Sequence, residues 1–185
     1  MASNEIDVAS DFYDIDAILS QLTKVECIFA AETPTEVYEL LGTCAPQQVD
    51  EKGYRVLTPF WLAKALEQLC TLGLPTAYNS NARNVLLANA EHADLESLQP
   101  YFYETGMQLT TTLSENAAVI VADILLKTMI QRVGGIVLST FRGSGPPKKI
   151  DNLEKTLYDE GMRSRRRMED YLRAQQFNKR KRRHD

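Results

Sequence analysis

Hydrophobic and polar positions change their period twice along this chain. In DFYDIDAILSQL, residues 11–22, Ile15, Ile18, Leu19 and Leu22 recur at helical spacing with Asp14 or Asp16 near the start. That predicts a short helix with an acid at its positive end. KVECIFAAE then alternates Val25, Cys27 and Phe29 against Glu26, with Ile28 also apolar, the two-residue period of a strand. Val37–Leu41 and Tyr54–Leu57 are two further short apolar runs separated by the turn-prone GTCAPQQVDEKG. Two or three short strands do not hold together alone, so this part must lean on something larger.

From Pro59 the texture becomes helical. Thr58 suits an N-cap and Pro59 the first helical position, and the helix is expected to run through Cys70 to the break at GLP, residues 73–75. A second helix follows from SNARNVLL, and a third begins near Pro100. SENAAVIVADILLKTMIQRVGGIVLSTF, residues 114–141, is the most apolar segment. Asp123, Lys127 and Arg132 in its middle would be costly in lipid, which argues against a membrane span. Asn116, Asp123, Lys127 and Gln131 make one narrow polar stripe, so the helix should be buried on most of its circumference. RGSGPPKK, residues 142–149, reads as a linker. The last helix carries Leu153, Leu157, Met162, Met168, Tyr171 and Leu172 as a thin apolar stripe that Gly161 weakens.

The fold expected is mainly α: a helical bundle domain, residues 58–178, preceded by a small β-rich N-terminal domain, 1–57, and followed by a basic tail, 179–185. A chain of 185 residues buries roughly 70% of its unfolded surface, enough for a real core. The N-terminus has acids and no apolar run, so it reads as neither signal nor transit peptide. Cys27, Cys44 and Cys70 are scattered and odd in number, the usage of buried thiols in a reducing compartment.

The net charge of −4 conceals a polarity. Residues 1–60 hold eleven acids against Lys24, Lys52 and Arg55, whereas residues 163–183 hold ten of the 21 bases, ending in KRKRR. Such asymmetry points to a partner for at least one end. Lys179, Arg180, Lys181, Arg182 and Arg183 match the short basic runs that serve as nuclear import addresses or nucleic-acid patches. Arg163, Arg165, Arg166, Arg167 and Arg173 could line a helix face against nucleic acid, although Asp159, Glu160, Glu169 and Asp170 are interleaved and can pair with them. Catalytic residues are not evident. His92 reads as a solvated surface histidine, and GSGPPKK lacks the spacing and the N–H groups of a phosphate loop. The expectation is no enzyme, no cofactor and no metal.

LTPFWLAKALEQL, residues 57–69, resembles the leucine–x–proline/leucine–x–tryptophan–leucine–alanine segment of the third Psf subunit family of the eukaryotic GINS complex. An acidic DIDAIL near the start, PYFYETGMQL, LSENAAVI and the basic FNKRKRR resemble further pieces of that family in the same order. The resemblance implies a non-catalytic subunit of a nuclear heterotetramer. Its partners would be the other three GINS subunits, then the Mcm hexamer and a Cdc-type accessory protein in the CMG replicative helicase. DNA contact would be at most indirect, with no membrane. Phe60, Trp61, Leu62, Ile120, Ile124 and Leu125 are the expected domain-junction or subunit-packing residues, with Trp61 buried between the two parts. The alternative is a small nuclear DNA-binding protein using its basic C-terminal helix.

Overall fold

The computed structural model describes residues 14–30, 32–42 and 53–181, with side chains as far as Gln176. Helix α1, Ile15–Gln21, starts at Asp14, whose carboxylate accepts the Asp16 amide at 3.0 Å. Strand β1, Lys24–Phe29, follows and buries Val25, Cys27 and Phe29 completely, as its alternation predicts. It is the middle strand of an antiparallel sheet. Strand β2, Tyr54–Pro59, pairs with it from Lys24↔Pro59 to Phe29↔Tyr54. Strand β3, Cys70–Leu72, pairs on the other side through Cys27↔Leu72 and Phe29↔Cys70.

Three local expectations are corrected. Val37–Leu41 is not strand: Thr35–Leu40 is a helix, α2, and its Tyr38 packs edge-on to Phe29 and Tyr54, with ring centroids 5.8 and 5.6 Å away. Pro34 before it sets an extended entry, and the run Val37, Tyr38, Leu41 fits a helix turn on the sheet better than a pleat. Thr58 does not cap the next helix. It sits in β2, where its hydroxyl and the Cys27 thiol hydrogen-bond at 2.8 Å. Helix α3, Phe60–Ala65, is also shorter than expected, because the chain turns at residues 66–69 and enters β3. The edge of β1 offers hydrogen bonds to that segment, which local helix propensity does not outweigh.

The rest is helical: α4, Ser80–Asn89; the short α5, Leu95–Leu98; α6, Phe102–Thr112; α7, Glu115–Arg142; and α8, Asn152–Lys181. Tyr78, Phe102, Leu95, Leu109, Val121 and Ile124 join Phe29 and Phe60 in one continuous core under the sheet and against α7. Gly143 ends α7 with φ of 66° and donates to Ser139 and Thr140 carbonyls, so the left-handed turn belongs to a residue that bears it without strain. Gly161 does not weaken α8 for nothing. A Cβ there would lie 2.7 Å from Thr140 Cγ2, so the glycine lets α8 approach α7. The pair Gly134 and Gly135 plays no such part: a Cβ at Gly134 would meet nothing within 4 Å, and one at Gly135 would meet only Glu91 Oε1 at 3.9 Å.

Helix α1 is seated on α6 by polar contacts. Tyr101 donates to Asp16, Gln108 to Ser20 and Gln99 to Thr23. Glu104 Oε2 is buried in this region without a hydrogen-bond partner among the described residues. Burial first, then Asp151, raises the Glu104 pKa, with Asp16 and Asp14 adding to it. The folded state therefore holds that proton more tightly than the unfolded chain does. Its stabilising share is complete below the unfolded glutamate pKa and is lost as pH rises through the folded one. Glu104→Gln is expected to raise the urea midpoint at pH 7, and the gain should vanish below about pH 4.

Candidate subunit interface

The geometry of the outer surface is set by one buried ion pair. Arg132 of α7 donates through Nε to Glu154 Oε1 at 2.7 Å and through Nη2 to Glu154 Oε2 at 2.9 Å. The two side chains are 4% and 0% exposed, so both charges are out of water. The remaining guanidinium hydrogens go to carbonyl oxygens: Ala90 at 2.6 Å, Ala93 at 3.0 Å and Lys149 at 3.0 Å. Glu154 also accepts from the Tyr103 hydroxyl at 3.0 Å and from the Asp151 amide at 3.2 Å. Burial lowers the Arg132 pKa and Glu154 more than restores it, leaving it above the usual arginine value. Burial, then Glu154, pushes the Tyr103 phenol up, so it stays a donor.

Sequence reasoning missed Glu154. The signal was present: Asp151 and Glu154 stand three apart at the start of an apolar-periodic helix, the capping-box spacing. Asp151 Oδ2 accepts the Leu153 amide while Glu154 accepts the Asp151 amide, and Asp151 Oδ1 accepts the Phe102 amide at 2.7 Å. One helix cap thus also fixes the start of α6.

With α7 pinned, its faces separate. Val121, Ile124, Leu125, Thr128, Arg132, Ile136 and Thr140 point inward. Val119, Leu126, Ile130, Val133, Val137 and Phe141 follow one another at seven, four, three, four and four residues and form an outward ridge. Leu126 is 61% exposed, Ile130 63% and Phe141 77%. Among the described residues α7 is therefore not buried on most of its circumference, because α4, α6 and α8 cover one side only. The expected Asp123–Lys127 pair forms at 2.8 Å and borders the ridge. Such 3-4 spacing of large apolar residues is the seam of a helix–helix contact.

Of the expected packing residues, Phe60, Ile124 and Leu125 meet in the common core, with Leu62 partly buried against it. Ile120 and Trp61 point outward, and Trp61 is 49% exposed. The expected burial of Trp61 within the chain is not found. Neighbours on a helix lie about 100° apart, so seating Phe60 in the core turns Trp61 toward the surface. Of the basic groups on α8, Arg163 pairs with Glu160, Arg165 with Glu169 and Arg173 with Asp170. Lys179 and Arg180 are described only as helix backbone, as is Lys181, while Arg182 and Arg183 lie outside the described residues, as does Cys44.

Chemistry is sparse. Burial, then the proximity of Cys27, pushes the Cys70 thiol up to about 12, the opposite of a reactive cysteine. His92 is exposed and bonded to Asn89. Among the described residues no three His, Cys, Asp or Glu side chains gather as metal ligands, and no helix is long and apolar enough to cross a membrane.

The described residues thus form a mainly helical chain with a small sheet, a pinned long helix and an exposed apolar ridge. No family model matches it. Curated proteins do. It is 31% identical over 135 residues to the "DNA replication complex GINS protein psf3" of Aspergillus fumigatus, covering 68% of this chain and 71% of that protein. It is 30% identical over 124 residues to the protein of the same name in Schizosaccharomyces pombe, and 30% over 167 residues to that of Mus musculus, covering 76% of the latter. The chain belongs to the Psf3 family of GINS proteins.

Arg132→Met should lower stability by about 3–5 kcal/mol, because Glu154 is left charged and buried. The double variant Arg132→Met/Glu154→Met should recover much of that loss. Urea unfolding followed by circular dichroism measures both, and a simple sum of the single effects would show that the two side chains act independently.

Proposed function

We propose that this protein is a non-catalytic structural subunit of the GINS heterotetramer, acting in the initiation and elongation of DNA replication as part of the CMG helicase. The observation that carries the reading is the uncovered ridge of α7. An exposed apolar stripe of six residues, from Val119 to Phe141, on a core helix is costly in water and is matched by a partner helix. Membership of the Psf3 family supports the choice of the other three GINS subunits as that partner. The Mcm hexamer and a Cdc-type accessory protein follow as the larger assembly, and the nucleus as the location. Trp61, standing half exposed beside the sheet, fits a second contact of the same kind. In this reading residues 1–57 are the smaller, sheet-bearing unit, 58–178 the helical unit and 179–185 the basic tail. β3 pairs with β1 from beyond residue 57 and ties the two units together. The rival reading, a DNA-binding helix, is weakened by the three arginines of α8 that carry their own carboxylates.

Light scattering at micromolar concentration should find the lone chain aggregated, and co-expression with the other GINS subunits should yield a monodisperse complex. Leu126→Glu/Ile130→Glu should abolish that complex while leaving the urea midpoint of the lone chain, measured at a dilution where it is monomeric, unchanged, since both residues face water. A stable lone monomer, or a complex indifferent to these changes, would sink the proposal.

Replacing Lys179, Arg180, Lys181, Arg182 and Arg183 with alanine should reduce nuclear accumulation of a fluorescent fusion with folding intact. Loss of the complex instead would make the tail an interface.

A further inference from the structure

Helix α8 runs parallel to the last turns of α7. Glu154 lies beside Arg132, Gly161 against Thr140, and Arg165 donates to the Thr140 carbonyl oxygen at 3.2 Å, just short of the end of α7. Tyr158 belongs to the same inward stripe, its hydroxyl donating to the Ser144 carbonyl oxygen of the returning linker. These positions, 154, 158, 161 and 165, follow the four-three-four rhythm of one helix packed on another. The stripe does not stop where α7 does. Met168 and Leu172 continue it at three and four residues, and there they are 60% and 51% exposed. Residues 166–181 carry α8 roughly 24 Å beyond Arg165, whose side chain reaches the end of α7. Phe141, on the last turn of α7, is 77% exposed.

We propose that the overhanging part of α8 is a ledge for a helix of a protein partner, seated in line with the C-terminal end of α7 and carrying apolar anchors with acidic neighbours. The inference rests on the chain being a subunit of a multiprotein assembly. Continuity of the stripe argues for a helix, since the occupant takes up the same packing rhythm that α7 leaves off. Charge argues for its chemistry. Arg163, Arg165 and Arg173 have carboxylates on their own helix, whereas Arg166 and Arg167, next to Met168, have none within ion-pair distance among the described residues. A partner's Asp or Glu would complete them. Nucleic acid fits worse: it would leave Met168 and Leu172 in water and bring phosphate against Glu169 and Asp170 on the same turns.

Hydrogen exchange on the full chain, alone and co-expressed with the other three GINS subunits, tests the ledge. In the assembly the amides of residues 166–176 should exchange at least about tenfold more slowly than in the lone chain. Met168→Glu/Leu172→Glu should leave the lone chain's urea midpoint unchanged, remove that protection and weaken retention of a partner about tenfold. Arg166→Glu/Arg167→Glu should weaken retention in the same sense. Fast exchange of 166–176 in the intact assembly would overturn the ledge, as would full retention of both variants. Protection gained only when a DNA duplex is added would replace it with a nucleic-acid surface. The two readings fail separately. If the unaltered chain does not assemble, the subunit reading falls and takes the ledge with it; if it assembles and the ledge variants are silent, the ledge alone falls.

Discussion

The pairing of Arg132 with Glu154 is the constraint on which the outer surface depends. Two desolvated charges cost several kcal/mol each to bury and are tolerated only when nearly every hydrogen-bonding position is filled. Here that condition is met by four carbonyl oxygens on one side and by a phenol and an amide on the other. An apolar pair of similar volume would hold the helices about as well, so the pair is better understood as a register pin. Only one axial position of α8 and one rotation of α7 let the two-pronged contact form. The pin reaches the turn at Ala90, the linker at Lys149 and α6 through Tyr103, so three segments besides α7 and α8 take their places from it.

That placement has a consequence for the free surface. A helix of 28 residues carrying apolar side chains on most of its circumference needs neighbours on all sides. The chain supplies α4, α6 and α8, and the pin puts all of them on the Arg132 side. What is left is the ridge from Val119 to Phe141. The same rotation that satisfies the buried charge therefore decides which apolar residues await a partner. Loss of the pin would blur the ridge as well as lower stability, because α7 could then roll and bury part of it.

Long elements were legible in the sequence because periodicity accumulates over many residues. The helices at 80–89, 102–112, 115–142 and 152–181 follow from pattern alone, as does β1 from its strict alternation. Among short elements α1 and the strand at Tyr54 were legible, but two segments were not. Val37–Leu41 carries too few residues to separate a two-residue period from a helical turn, and tertiary contact with Phe29 and Tyr54 decided it. Residues 58–70 contain both a helix and a strand, since pairing with β1 overrides propensity at Cys70–Leu72. Of the interface, the apolar excess of α7 was visible but its outward side was not: Ile124 and Leu125 read as contact residues and lie in the core, while Leu126 and Ile130 form the ridge. The phase of an almost wholly apolar helix is set by its rare polar residues, and the partner that fixes Arg132, Glu154, stands on another helix, where the pattern of α7 alone does not reveal it.

The N-terminal helix shows the same division of labour on a smaller scale. Ser20 of α1 is fully buried, and Asp16, Ser20 and Thr23 receive hydrogen bonds from α6 and the segment before it. Ile15, Ile18, Leu19 and Leu22 meanwhile face water. A helix folding for its own chain's stability would turn the other way, since burying four such side chains is worth more than three modest hydrogen bonds. Hydrogen bonds are directional and hydrophobic contact is not, so polar anchors are the means by which a chain can hold an apolar face outward in a defined orientation. Both α1 and α7 use them so: side chains with fixed geometry position the helix from within, and the apolar residues are left where another molecule can reach them.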